Sequence, residues 1–352
     1  MKKVLMIGPA RNVKGGMTTV VNDFLDAFCD KKNISIKYLE TINDKNIFLK
    51  FIKEKSGLIY FRFIISSYDI LHVHMASRRS TFRKLKYIRI AKEKNKKVVL
   101  HMHGGGFIKF YREELDKNQK KYINKMLKKV DKIITLTLEM KKFLENELKI
   151  ESKKIEIISN GVKIPKKHIR KSENIDPSIV FLGRIVENKG IFDVIPLISK
   201  IKTLEPNVKL HICGSGEEKK LLNIIKKYDV NDNVVMHGWV DNSSKEKIFK
   251  NCSFFILTSY FEAMPMSLLE SMSYGLIPFV SNVGSISEIV KNDYNGKIYN
   301  LKDIDKIPYD FINIYKNFEN LHRLSENAYK TVCENYNLEK NVSNVIRIYD
   351  EL

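Results

Sequence analysis

Short apolar runs with no polar interruption recur along this chain, and most are followed by a stretch whose apolar residues repeat at helical spacing. A strand that is apolar all round has to be covered on both faces, and helices crossing over between parallel neighbours do this. In the first half the runs are Val4–Gly8, Ile34–Leu39, Ile70–His74, Val98–His103, Lys132–Thr137 and Ile155–Ile158. The stretches between them predict helices at about 17–30, 46–55, 79–95, 113–129 and 138–148. The second half repeats the rhythm, with strands at Ile179–Leu182, Lys209–Cys213, Val234–Met236, Phe254–Leu257 and Ile277–Val280 and helices near 190–203, 217–228, 243–251 and 265–274. The fold class is therefore α/β, in two doubly wound domains. Its 352 residues exceed one ordinary core and suit two. The polar stretch Lys163–Pro177, with two prolines and a basic run, is the expected join, which places the domains at 1–163 and 164–334. The last helices, about 303–352, are charged on one face and carry no site motif.

Several classes are set aside by composition. No run reaches the roughly 18–20 apolar residues of a membrane span. The apolar start Val4–Ile7 stops at Gly8-Pro9, too short for a secretory leader. Cys29, Cys213, Cys252 and Cys333 lie far apart with no C-x-x-C, so neither a disulfide scaffold nor a zinc site is expected. The expected compartment is the cytoplasm. The net charge of +21 is concentrated: residues 1–163 hold 37 Lys and Arg against 17 Asp and Glu, and the rest of the chain is near neutral. Such a basic half suits a polyanion, whether nucleic acid, an anionic membrane or an anionic substrate. With 51 Lys to 11 Arg, it is also what lysine-rich solvated helices would produce.

In open parallel sheets ligands bind beyond the carboxyl ends of the strands, and several loops there are unusual. The first strand leads to Gly15-Gly16 at a helix start, where backbone N–H groups can approach a phosphate. It is neither G-x-G-x-x-G nor a Walker loop. The strand Val98–His103 ends in His103 followed by Gly104-Gly105-Gly106, a histidine able to donate to a substrate oxygen or to act as acid or base near neutrality. Alternation puts His101 on the same face, and His72 and His74 repeat the pattern one strand earlier, but no third metal ligand is evident. Arg184 and Lys189 flank a strand-to-helix loop and could clamp a diphosphate, neutralising charge as it leaves. Gly214-Ser215-Gly216 and Gly238-Trp239-Val240 end the next two strands. Then comes Tyr260-Phe261-Glu262-Ala263-Met264-Pro265-Met266-Ser267-Leu268-Leu269-Glu270. Pro265 suits a first helical turn, and Glu270, an acid in an otherwise apolar helix, needs a polar partner; a sugar diol would be one.

Taken in order, Gly15-Gly16, His103-Gly104, Ser159-Asn160-Gly161-Val162, Gly183-Arg184…Lys189-Gly190, Gly214-Ser215-Gly216, Glu262-x7-Glu270 and Gly284-Ser285-Ile286-Ser287-Glu288 resemble the family-4 retaining glycosyltransferases of the GT-B fold over nearly the whole chain. Ser159 in place of a proline and Ser285 in place of a glycine are its mild departures. The resemblance implies two Rossmann-like domains facing each other across a cleft, with a final helix, about 335–352, packed back on the first. It implies that Arg184 and Lys189 hold and stabilise the donor's diphosphate, and that Glu270 binds the ribose. Glu262 and the backbone of Ala263, Met264, Pro265 and Met266 would hold the donor sugar. Gly15 and Gly16 would approach the phosphates, Gly214 would edge the nucleotide crevice, His103 would contact the sugar, and Trp239 and Val240 would border the base. Catalysis would retain configuration by a front-face route, without a metal or other cofactor. The partners implied are a nucleotide-sugar donor, UDP-linked before GDP-mannose, and a lipid-linked saccharide acceptor of capsule, exopolysaccharide or lipopolysaccharide synthesis. The basic half then suits an anionic inner membrane, with helix 79–95 (Arg78, Arg79, Arg83, Lys84, Lys86, Arg89) as the facing surface.

Three rivals remain. A GT-B-fold epimerase would need acid and base on both sides of the sugar and no acceptor. A nucleic-acid binder would interleave aromatics with the basic stripe, which offers only Phe82, Tyr87 and Tyr122. A dinucleotide oxidoreductase would need the glycine fingerprint that is missing near residue 8.

Overall fold

The computed structural model describes the chain except residues 30, 32, 42–46 and 166–175, and describes 47–55 as backbone only. Most of the expected linker Lys163–Pro177 lies outside the described residues. The chain divides into two compact units, Met1–Gly161 with Leu338–Leu352, and Val162–Asn337.

The first unit runs β1 (Lys2–Gly8), α1 (Gly16–Phe28), β2 (Ile34–Glu40), α2 (Ile47–Ile64), β3 (Ile70–Met75), α3 (Arg79–Glu93), β4 (Lys97–Met102), the short α4 (Phe107–Lys109), α5 (Lys117–Lys128), β5 (Lys132–Thr135), α6 (Leu138–Asn146) and β6 (Ile155–Ile157). All six strands are parallel, in the order β2-β1-β3-β4-β5-β6. Leu5, Ile7, Leu71, Val73, Val98 and Leu100 point to one face and build the larger core with α3 and α5. Helix α5 begins where its sequence allows: Asp116 Oδ1 accepts from Gln119 N at 2.8 Å while Gln119 Oε1 accepts from Asp116 N at 3.2 Å, a reciprocal cap.

The second unit runs β7 (Ser178–Leu182), α7 (Ile191–Leu204), β8 (Lys209–Cys213), α8 (Glu218–Lys227), β9 (Val234–Gly238), α9 (Asn242–Asn251), β10 (Phe254–Leu257), α10 (Met266–Met272), β11 (Ile277–Ser281), α11 (Ile286–Ile289), β12 (Lys297–Tyr299), α12 (Ile307–Tyr315) and α13 (Phe318–Asn335). Its sheet is again parallel, in the order β12-β11-β10-β7-β8-β9. Strand β12 was not expected from the sequence. The last helix, α14 (Leu338–Asp350), belongs to the first unit. Tyr349 is fully buried and bonds His72 Nδ1 through its hydroxyl, and Asn341 Nδ2 donates to Ser159 O at 2.6 Å.

In each sheet the direction of winding reverses once, between β1 and β3 in the first unit and between β7 and β10 in the second. Loops leaving such neighbours diverge to opposite faces, which opens a recess at their carboxyl ends. Of the six bases expected to form the facing surface of helix 79–95, Arg78, Arg79, Lys86 and Arg89 are exposed and two are not. Lys84 is 1% exposed. Arg83 is half-buried. Arg78 is held by Glu114 at 2.5 and 2.8 Å, and Arg89 lies 3.7 Å from Glu93. Helix α3 turns Leu85, Tyr87, Ile88 and Ala91 into the core. No helix among the described residues is long and apolar enough to cross a membrane.

Candidate active site

In the second unit the loops after β7 and β10, neighbours across the reversal, are stitched together. Thr258 Oγ1 donates to Gly190 O at 2.9 Å, and Tyr260 N donates to Asn188 O at 3.1 Å. Gly190 has φ +69°, and a Cβ there would lie 2.1 Å from Thr258 O, so the junction needs glycine twice over. This contact brings two of the sequence-nominated residues together. Lys189 Nζ lies 2.5 Å from Glu262 Oε1, which also accepts from Ser259 Oγ at 2.8 Å. The carboxylate is nearly buried, with 9% of its side chain exposed, and Glu262 Oε2 carries none of the described bonds. Arg184, from the same β7 loop, is exposed and has no ion pair among the described residues. A cation shared with a carboxylate and a free guanidinium on one short loop can hold a diphosphate in two places.

Glu270 on α10 does have the polar partner its apolar helix demands: Lys245 Nζ, 2.7 Å from Oε1, with 14% and 18% of the two side chains exposed. Lys245 is placed by the start of α9, where Asp241 Oδ1 accepts from Ser244 N at 2.8 Å. Nothing in the spacing of residues 245 and 270 pointed to this pair, or to Ser259. Pro265 stands at the N-cap of α10 with φ −70° and ψ 119°, one position outside the helix. Ala263 O accepts from Ser285 N at 3.2 Å and from the Ser285 hydroxyl, which fixes the loop that also holds Met264 and Met266. A Cβ on Gly214 would lie 1.7 Å from Gly183 O, so Gly214 lets the β8 loop pack on the loop of Arg184. Trp239 is 43% exposed at the end of β9, with Val240 half-buried beside it.

The first unit holds the other nominated residues. Gly15 is the N-cap of α1 and its carbonyl accepts from Thr18 N at 3.0 Å; Gly16 opens the helix. His103 Nε2 lies 2.7 Å from His74 Nδ1. The register of β3 and β4 sets His74 opposite His101, and His72, His74 and His101 form a fully buried group whose ring nitrogens lie within 4.8 Å of one another. The third ligand that seemed to be missing is therefore close. The rings of His72 and His74 stack at 15° and those of His101 and His103 at 25°, while His74 and His101 are tilted at 31°. Burial lowers all four pKa values, those of His72 and His103 to about 3. His103 is thus a neutral imidazole at pH 7, a donor or acceptor and not the near-neutral acid that the sequence suggested.

The chain matches the family described as glycosyl transferases group 1 over residues 164–331 and glycosyltransferase family 4 over residues 46–164. Over 330 residues it is 27% identical to the UDP-Gal:alpha-D-GlcNAc-diphosphoundecaprenol alpha-1,3-galactosyltransferase of Escherichia coli, covering 86% of this chain and 81% of the relative. It is 24% identical to an uncharacterised 41.2 kDa protein in the cps region of Klebsiella pneumoniae, covering 85% of this chain and 86% of that protein. Anabaena HepE, solved in complex with UDP, superposes with a TM-score of 0.77 at 13% identity, covering 100% of both chains. The chain belongs to the group 1 glycosyltransferases and has their two-domain GT-B fold.

The buried histidines give the first unit a pH dependence whose sign is fixed. They bind protons in the unfolded chain near pH 6.5 but resist doing so when folded, so stability is complete above about pH 7 and falls as the pH drops toward 3. Each contributes up to about 1.4 kcal/mol per pH unit in that window. His101→Leu, which also removes two unpartnered buried nitrogens, should flatten the decline by about one proton; urea unfolding at pH 7, 6 and 5 should show diverging, not parallel, curves.

Proposed function

We propose that this glycosyltransferase moves a hexose or N-acetylhexosamine, with retention and without a metal, from a nucleotide-diphosphate sugar to a lipid-linked saccharide during assembly of a surface polysaccharide. A UDP-sugar is the favoured donor and GDP-mannose the alternative. The observation that carries the reading is the Lys189–Glu262 pair beside exposed Arg184 at the reversal point of the second sheet. The names of the Escherichia coli and Klebsiella relatives support the surface-polysaccharide setting.

In this reading Arg184 takes oxygens of the donor's diphosphate. Lys189, already close to Glu262, is shared with the terminal phosphate and gains most as that phosphate leaves with its extra charge, so the stabilisation is greatest in the transition state. Glu262 uses Oε2 to accept from a hydroxyl of the sugar, while Oε1 stays with Lys189 and Ser259. Glu270 offers its second oxygen to the ribose diol, with Lys245 holding the first. Gly214, Trp239, Val240 and the Ala263–Met266 backbone border the nucleotide and sugar. The acceptor hydroxyl gives its proton to the departing phosphate, so no separate protein base is required.

Incubation with nucleotide sugars and a lipid-linked acceptor should release free nucleoside diphosphate; an intact nucleotide sugar with an altered sugar would mark an epimerase instead. Arg184→Ala should lower kcat about 10²-fold, and near-normal turnover would remove it from the mechanism.

Beside the exposed bases of helix 79–95, α2 offers a second membrane contact. Ile59, Tyr60 and Phe63 are 61%, 49% and 75% exposed there, and the helix carries Lys50, Lys53, Lys55 and Arg62 against Glu54. Exposed apolar groups flanked by bases suit an anionic bilayer surface. Ile59→Ser with Phe63→Ser should weaken binding to vesicles containing phosphatidylglycerol roughly tenfold or more, with turnover of a soluble acceptor analogue unchanged; equal vesicle binding would discard α2 as the contact.

A further inference from the structure

In the first unit one basic side chain is buried and its neighbour half-buried, and no acid among the described residues pairs with either. Lys84, on α3, is 1% exposed, and its only described bond is to Thr41 Oγ1 at 2.7 Å. An ammonium has three donors, so two are unused. Arg83 beside it is half-buried, and its Nε is buried with no partner. Neither Lys84 nor Arg83 has an ion pair among the described residues. Burial depresses the Lys84 pKa well below its ordinary value, and Arg83 pushes it the same way.

Position supplies the second half of the argument. Thr41 directly follows β2, and its hydroxyl donates to Gly8 O at the end of β1. Lys84 Nζ therefore lies at the carboxyl edge of the sheet, next to the reversal between β1 and β3, where such sheets bind ligands. A buried cation without a counter-charge is costly in the empty protein, and an arriving anion removes that cost. A guanidinium fork next to an ammonium matches the oxygens of a phosphate.

We propose that Lys84 and Arg83 form an anion subsite of the first unit that takes a phosphate group of the acceptor. The proposal rests on the reading that the acceptor is a lipid-linked, hence phosphorylated, saccharide. The same chemistry could be presented by the donor's diphosphate, and the experiment separates the two.

Inorganic pyrophosphate is titrated into the full chain carrying Arg184→Ala, which weakens the proposed donor site, with and without Lys84→Met, and melting temperature is read. Pyrophosphate should raise the melting temperature of the first protein, and Lys84→Met should weaken that response at least tenfold in pyrophosphate concentration. Without pyrophosphate, Lys84→Met should melt at the same temperature or higher, because methionine fills the space without a buried charge. Lys84→Arg should keep part of the response. An unchanged pyrophosphate response in Lys84→Met, or a melting temperature lowered by several degrees without ligand, would overturn the subsite and make Lys84 a structural residue. UDP affinity of Lys84→Met, in an otherwise unaltered chain, should equal that of the parent. A tenfold loss there would give the cations to the donor and overturn the acceptor assignment. Transfer activity of the unaltered chain is measured alongside, so a failed subsite and a failed glycosyltransferase reading give different results.

Discussion

Two parallel sheets, each covered by helices on both faces, leave the carboxyl edge as the place where backbone groups and charged side chains can meet a ligand. In the second unit the winding reverses between β7 and β10, and this one topological fact sets Lys189 and Glu262 in adjacent loops. The contact is then tightened by backbone approach. Gly190 presses on Thr258 O and Gly214 on Gly183 O at separations that no side chain would survive. The glycines that look like phosphate-binding turns in the sequence thus do a structural task as well: they let three loops pack edge to edge, so that Lys189 and Glu262 are held together and the backbone of Arg184 is fixed beside them.

The two carboxylates nominated for the donor are each paired with a lysine, Glu262 with Lys189 and Glu270 with Lys245. Nearly buried carboxylates need such partners. In both cases one oxygen is committed and the other carries none of the described bonds, which suits a group meant to accept hydroxyls in a fixed direction. The first unit is built differently. Its buried bases, four imidazoles and Lys84, meet hydroxyls and one another but no described acid. The imidazoles accommodate this by staying neutral. Burial likewise holds the Lys84 pKa well below its ordinary value, and Arg83 beside it has no ion pair among the described residues.

Most of the fold was legible because most strands are continuous apolar runs and most helices have a 3.6-residue period. Strand β12, Lys297–Tyr299, was not, since three residues between polar neighbours give no run to see. Helix α2 continues to Ile64, beyond the expected 55, because Leu58–Ile65 is apolar on nearly every side and shows no helical period. At the site, Arg184, Lys189, Glu262 and Glu270 could be nominated from loops and order. Lys245 could not, because its meeting with Glu270 depends on how α9 packs against α10. Alternation showed that His101 and His103 share a face, but that His74 joins them required the register of β3 on β4. In Arg83-Lys84-Leu85-Lys86 every base reads as solvated, and only packing shows that Lys84 is the buried one.

The central claim is that the second unit binds a nucleoside diphosphate through its carboxyl-edge loops, with Glu270 on the ribose. Calorimetric titration of UDP and GDP into the full chain and into Glu270→Ala tests it directly. One of the two nucleotides should bind with a single-site isotherm and lose at least tenfold in affinity in the variant, whose unfolding should otherwise match the parent. Binding of neither nucleotide, or equal affinity of both proteins, would contradict the account.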